Sequence, residues 1–324
     1  LIYTVTLNPS IDYFVKVNEL NEGSINLADE QNIVAGGKGI NVSKVLKNLG
    51  IESIATGFIG GFTGDYIEQS LQKDNIGTQF VRVHEQSRIN IKLNTGKETE
   101  INGISPEISS VNLSLLEKNL FSKLKEDDFV VLAGSLPSSL PVKFYGQLIA
   151  GIRSKGSQVL LDTKGNPLQE ALRHHPFLIK PNHHELGDLV GAAIENPSDA
   201  VFYGKQLIHE GAENVLVSMA GQGAVFVSKT ISAYANVPSG IVKNSVGAGD
   251  SVVAGFLAHY TQHQNLLEAF KYGVTAGSAS AFSAGFCTAA EIERYLPEVK
   301  VEVIEGDKNE NYRINHERDD KTSS

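Results

Sequence analysis

The chain has 324 residues, of which 41% are hydrophobic and 20% charged, and its net charge is −9. This is the composition of an ordinary globular protein, large enough for one big domain with a small appendage, and it excludes disorder over most of the length. Basic residues are scattered rather than clustered, which argues against nucleic acid or an anionic membrane as partner. An anionic small molecule stays possible, because a pocket needs only a few local cations.

The opening third reads as short alternating strands at Leu1 to Leu7, Tyr13 to Val17, Gln31 to Val34, Val81 to Val83, Ile89 to Leu93 and Glu98 to Ile101. After Lys38, the residues Val42, Val45, Leu46 and Leu49 form one stripe at helical spacing. From Leu113 the pattern becomes regular. Helices at Leu113 to Leu124, Pro141 to Arg153, after Pro167 and at Ala200 to His209 alternate with apolar strands. Those strands are Phe129 to Ala133, Val159 to Leu161, Phe177 to Ile179 and Val215 to Val217. Continuous apolar strands between helices predict an α/β fold with a mostly parallel sheet covered on both faces. Two half-polar insertions, 12–34 and 88–102, predict a small β-rich lid on a domain spanning 1–304. In such sheets ligands gather beyond the carboxyl ends of the strands.

The uncharged run Tyr272 to Ala290 is broken by glycine, serine and threonine, so it predicts a tightly packed helix and not a membrane span. The single cysteine, Cys287, is expected as a small buried residue of that helix and cannot form an intramolecular disulfide. Leu1 to Leu7 has no basic leader and runs straight into Asn8-Pro9-Ser10, so the expected location is cytoplasmic. Residues 305–324, with six acids and four bases, read as a flexible tail.

The strongest local signal is Asn244-Ser245-Val246-Gly247-Ala248-Gly249-Asp250-Ser251 ahead of the helical run Val252 to His259. Two glycines at a helix mouth can turn backbone N–H groups toward one phosphoryl oxygen, with Asp250 in the first turn. The same residues also suit a tight turn with a capping acid. A dinucleotide fingerprint does not fit, because its third glycine is missing. A second turn, Ala35-Gly36-Gly37-Lys38-Gly39-Ile40-Asn41, offers a close backbone approach with a cation and an amide, or a plain strand-to-helix turn. Asp12 closes the first strand region, where a carboxylate can accept sugar hydroxyls or simply make an Asx turn. Arg88 and Asn90 share a strand face, as a phosphate-matching fork or as a surface pair.

Lys180-Pro181-Asn182-His183-His184-Glu185 opens a helix in which Asn182 and Glu185 can form a capping box. Alternatively Glu185, with Asp162 from a neighbouring strand end, organises Mg²⁺ on a nucleotide. His183 and His184 are expected to point in different directions and not to form a metal pair. Ser218 to Ala224, with Gly221 and Gly223, is either a hairpin or a nucleotide-contacting loop.

Taken in order, Asn8 to Asp12, Gly36 to Val42, Gly134-Ser135-Leu136-Pro137, Lys180 to Glu185 and Val246 to Ser251 resemble the phosphofructokinase B family of ribokinase-like sugar kinases. The likeness runs from the first strand to about residue 303, and it is nearest to bacterial 1-phosphofructokinases through Gly39 to Lys47, Arg88 to Leu93 and Lys180 to Gly187. The resemblance implies a three-layer α/β/α domain with a β lid, and ATP-dependent phosphorylation of fructose 1-phosphate to fructose 1,6-bisphosphate with Mg²⁺. It implies Asp250 as catalytic base and Gly247, Ala248 and Gly249 as an anion hole. Asp12, Gly37, Lys38 and Asn41 would hold the sugar, and Arg88, Asn90 and Ser135 would recognise the substrate and its phosphate. Asn182, Ser218, Gly221 and Gly223 would lie along the nucleotide, with Glu185 and Asp162 near the metal. A homodimer formed lid to lid is also implied, whereas a monovalent-cation requirement does not follow. Tagatose-6-phosphate kinases share most of these motifs, and a catalytically silent sugar-phosphate sensor on the same fold is the alternative of another class. Relatives that use fructose 6-phosphate often carry basic residues where this chain reads Ser24-Ile25-Asn26, which turns the expectation away from that substrate. Where His184 stands, some members have lysine or arginine.

Overall fold

The structure is a computed structural model describing residues 1–306. Its strands are β1 (Ile2–Thr6), β2 (Ser10–Lys16), β3 (Glu30–Gly36), β4 (Ser53–Ile59), β5 (Gly77–Arg82), β6 (Arg88–Asn94) and β7 (Glu98–Ile101). They continue as β8 (Phe129–Ala133), β9 (Gln158–Asp162), β10 (Leu178–Ile179), β11 (Asn214–Ser218), β12 (Ala224–Ser228), β13 (Ile231–Ala235) and β14 (Val301–Gly306). The helices are α1 (Lys38–Asn48), α2 (Gly61–Lys73), α3 (Ser110–Phe121), α4 (Phe144–Arg153) and α5 (Asn166–Leu172). After them come α6 (His183–Val190), α7 (Pro197–Glu210), α8 (Ala248–His263), α9 (Leu266–Phe282) and α10 (Ala289–Tyr295).

Ten strands form the main sheet in the order β14-β13-β12-β11-β10-β9-β8-β1-β4-β5. From β5 to β11 every neighbour is parallel, and β12 to β14 extend the sheet antiparallel. Strand alternation divides the apolar residues between two faces. Val130, Leu132, Val159 and Leu161 pack with Leu116, Leu148 and Leu207 on the α3, α4 and α7 side. Val131 and Leu160 pack with Val45, Phe256 and Phe270 on the α1, α8 and α9 side. The result is the expected three-layer α/β/α arrangement.

Helices α8 and α9 approach closely because their contact is lined with glycine. A Cβ on Gly273 would lie 2.8 Å from the Val252 carbonyl, and one on Gly255 would lie 2.6 Å from the Ala276 Cβ. This packing fixes where the N-terminus of α8 points.

The second sheet has the order β3-β2-β6-β7. Asp12 lies opposite Asn90 on one face, while on the other Tyr13 is flanked by Ile33 and Ile91, and Ile91 by Ile101. Strand β4 lacks the expected alternating pattern, since Thr56 and Gly57 interrupt its apolar run, yet it sits between β1 and β5. Gly57 is required there, because a Cβ would lie 1.9 Å from the Thr6 carbonyl oxygen.

The helix expected over Tyr272 to Ala290 is interrupted. It ends at Phe282, and α10 begins at Ala289. Cys287 is buried in the connection, where its backbone N–H donates to Ser280 Oγ at 2.9 Å. Glu305 and Gly306, expected in the tail, instead pair with Ser232 and Ile231, because β13 offers an open ladder edge. Residues 307–324, the rest of that segment, lie outside the described residues. Among the described residues no helix is long and apolar enough to cross a membrane.

Candidate active site

The turn before α8 places Gly247 at φ 76, in the left-handed region that glycine tolerates best. No side chain caps this helix. Among the described residues the Gly249 and Asp250 amides have no partner, so the helix mouth can receive an anion. Asp250 is therefore not the capping acid of the alternative reading. Its Oδ2 accepts from Asn41 Nδ2 at 2.8 Å, its side chain is buried, and it forms no salt bridge among the described residues.

Beside it stands a charge cluster assembled from distant segments. Asp162, at the carboxyl end of β9 and 1% exposed, meets Lys38 Nζ at 2.9 Å and Lys180 Nζ at 3.7 Å. Lys38 begins α1, and Lys180 follows β10 directly. A Cβ on Gly249 would lie 3.2 Å from Lys180 Nζ, so this ammonium rests against the first turn of α8. Burial, and then the charge of Asp162, push the Asp250 carboxyl up to about 7, against the opposing pull of Lys38, Asn41 and Lys180. Burial also works against a charged Asp162, but Lys180 and Lys38 outweigh it and hold that carboxyl below its ordinary value. Lys180 was not among the expected site residues, since a lysine before Pro181 shows no partner in the sequence. Its position just past a buried strand is the signal that could have marked it.

The lid contributes Asp12 and Asn90, joined by Asn90 Nδ2 donating to Asp12 Oδ1 at 2.8 Å. Glycine at 36 makes room for this carboxylate, as a Cβ there would lie 2.4 Å from Asp12 Oδ2. Gly37 adopts φ 125 with its backbone against the Thr6 side chain. Arg88 donates from Nε and Nη2 to the Asn8 carbonyl at 3.3 and 3.2 Å, and from Nη1 to Asn90 Oδ1 at 3.2 Å. Asn8 Nδ2 in turn donates to Ser135 Oγ at 3.3 Å. Asp12, Arg88, Asn90 and Ser135 thus belong to one connected group.

A cavity of about 530 Å³ opens on the other side of the turn, lined by Asn182, Ser218, Gly221, Gly223, Ala248 and Gly249 among others. Asn182 and Glu185 form the capping box. The Glu185 amide donates to Asn182 Oδ1 at 2.8 Å, and Glu185 Oε2 accepts from the Asn182 amide at 3.0 Å. The His183 and His184 rings, expected to diverge, stand 3.9 Å apart between centroids. They begin α6, where no preceding helical turn restricts their rotamers. Among the described residues no group of three or more His, Cys, Asp or Glu side chains could hold a metal. With Asp162 engaged by two lysines and Glu185 by its cap, this is not a protein-built metal cage.

A glycine turn at a helix mouth, a buried carboxylate and a lysine pair describe a site for moving a phosphoryl group. The model of the pfkB family carbohydrate kinases matches residues 5–293. The chain belongs to that family. It is therefore a phosphotransferase with an alcohol acceptor, and its sugar-phosphate and ATP substrates are those that sugar kinases of this type use. It is 50% identical to a 1-phosphofructokinase of Bacillus subtilis over 302 residues, which cover 93% of this chain and 99% of that one. A D-tagatose-1-phosphate kinase of Bacillus licheniformis is 32% identical over 93% of this chain and 99% of its own. The crystal structure of phosphofructokinase-2 from Escherichia coli with fructose-6-phosphate superposes with a TM-score of 0.85 at 26% identity, covering 91% of this chain and 98% of that one.

Proposed function

We propose that this pfkB-family kinase transfers the γ-phosphoryl group of ATP to the free primary hydroxyl of fructose 1-phosphate, yielding fructose 1,6-bisphosphate and ADP. The observation that carries the reading is the buried Asp250 carboxyl, in no salt bridge among the described residues, at a helix mouth where the Gly249 and Asp250 amides are free while that of Ala248 donates to the Ser245 carbonyl. The acceptor oxygen attacks phosphorus in line as the bond to the β-phosphate oxygen breaks, and the hydroxyl proton passes to Asp250. Charge on the transferring group is met by the Gly249 and Asp250 amides and by Lys180, with Lys38 close by. Asn41 holds the Asp250 carboxylate in place through its 2.8 Å hydrogen bond.

Asp12, held in place by Asn90, supplies an acceptor for sugar hydroxyls, and the Arg88 fork, anchored by Asn8 and Asn90, supplies the cation for the substrate phosphate. Mg²⁺ bound with the nucleotide would neutralise part of its phosphate charge. The available side chains fit an ion that keeps most of its waters, and Glu185 would help to hold it. Identity to a 1-phosphofructokinase supports fructose 1-phosphate as acceptor. The test is kcat/KM for fructose 1-phosphate, fructose 6-phosphate, tagatose 1-phosphate and tagatose 6-phosphate. Fructose 1-phosphate should rank first, and a higher value for either 6-phosphate would overturn the reading.

The lid also supports a homodimer. Ile33, Ile91 and Ile101 are exposed in one row across the second sheet, with Tyr13 between them. A row of large apolar side chains facing water on a sheet marks an interaction face. Ile91→Asp should reduce the solution mass to that of one chain at micromolar concentration. A native protein already of that mass would refute the dimer.

A further inference from the structure

We infer that Lys44 is a positioning residue for the acceptor sugar: from α1 it fixes the lid strand β3, and with it the Asp12 carboxylate. This rests on the kinase reading above and names what holds the lid in register with the base.

Strand β3 lies at the edge of the second sheet, with β2 on one side only. Alternate carbonyls of a strand point the same way, so those of Ile33 and Ala35 share one direction. Both are met by side chains of the main domain. Tyr66 Oη on α2 donates to the Ile33 carbonyl at 2.8 Å, and Lys44 Nζ donates to the Ala35 carbonyl at 2.6 Å. An edge strand whose carbonyls are satisfied in this way is fastened to the helices that satisfy them.

The Lys44 contact falls where it bears on the sugar. Ala35 pairs with Ile11, next to Asp12, and the following Gly36 is the residue that leaves room for the Asp12 carboxylate. Burial holds the Lys44 ammonium below its ordinary pKa, while the charges of Asp74 and Asp12 pull it upward. Asp74 is exposed at the end of α2, where water screens it, whereas Asp12 is half-buried and belongs to the site. Helix α1 carries this lysine in series with two residues already placed there. Lys38, Asn41 and Lys44 follow one another at three-residue spacing, which sets each beside the next on the helix surface. They reach Asp162 at 2.9 Å, Asp250 at 2.8 Å and the Ala35 carbonyl at 2.6 Å. One helix thus ties the base to the lid strand that borders Asp12. Lys44 works through Ala35 and Asp12, not on the phosphoryl group.

Lys44→Met keeps the aliphatic stem and should fold, because burial disfavours the charge it removes. The dissociation constant of fructose 1-phosphate for the full chain, measured by calorimetry, should rise about 10–10²-fold, the loss expected with a hydrogen bond from a charged group. KM for the sugar should rise alike while KM for ATP stays unchanged, a split that a general loss of structure would not give. Lys44→Gln, uncharged and with a shorter donor, should show the same split. Tyr66→Phe removes the other fastening on that edge but no charge facing Asp12, and should leave both KM values near native. Unchanged sugar binding in both Lys44 variants overturns the inference and leaves the kinase reading intact. An equal loss in Tyr66→Phe also overturns it, by assigning the effect to the lid edge as a whole, and so does a parallel rise in KM for ATP. If the native chain binds fructose 1-phosphate but transfers no phosphoryl group to it, weakened binding in the Lys44 variants upholds the inference while the kinase reading falls. If the native chain binds no hexose phosphate, both fall.

Discussion

Asp250→Asn should give a folded protein that binds both substrates with near-normal affinity and turns over about 10²–10⁴-fold more slowly, the usual loss for a general base. The substitution keeps the side chain's shape, and its Oδ1 can still accept from Asn41 Nδ2, so the lost function is the capacity to take a proton. Because burial and Asp162 lift the Asp250 carboxyl to about 7, the native enzyme should lose activity as pH falls through that value. The sign follows from the role: the base works ionised, and below its pKa it is protonated. The variant should lack this acid limb. Stability should move the other way. A carboxyl whose folded pKa is raised above its unfolded value favours folding below the unfolded pKa, and that contribution disappears as pH rises through the folded pKa. At pH 8 the native protein holds a penalised buried charge, and the amide does not, so Asp250→Asn should melt higher than the native chain. Near-normal kcat in the variant would remove Asp250 from the reaction.

The parts of the site legible in the sequence are those set by backbone chemistry. Gly247 needs a left-handed φ, and Gly36 leaves the space that Asp12 fills, so each leaves a glycine in a recognisable local string. The same holds for the helix–strand alternation between β8 and β11, where buried strands are unbroken apolar runs. Strand β4 escaped because Gly57, forced by the Thr6 backbone, removes the side chain that would have continued the pattern. Long-range electrostatics were not legible either. Asp162 reads equally well as a strand-end acid or a metal ligand, and only the fold shows that residues 38 and 180 place ammonium groups on it. The capping box at Asn182 and Glu185 was legible as a box, since both of its hydrogen bonds are local.

Lys180→Met tests that hidden cluster and should have the second largest effect. The native ammonium is 4% exposed, lies 3.7 Å from a carboxylate that is 1% exposed, and rests against the turn that would receive the phosphoryl group. Removing it leaves Asp162 with Lys38 alone. Breaking a buried ion pair costs about 3–5 kcal/mol, and the long contact together with the surviving Lys38 places this case near the lower bound. Lys180 also draws the Asp250 carboxyl downward, so its loss should move the acid limb of the pH profile to higher pH. Raising the pH should recover that part of the activity. It should not recover the stabilisation of the transferring group, a loss of about 10²–10³ in kcat of the kind seen when one preorganised donor is removed. The double variant Lys180→Met/Asp162→Asn separates the two effects. With the carboxylate that Lys38 alone would have to neutralise gone, its melting temperature should rise above that of Lys180→Met, while kcat stays low. Full activity in Lys180→Met would show that the ammonium does not reach the reacting phosphate. A double variant no more stable than the single one would show that Asp162 is not the charge Lys180 neutralises.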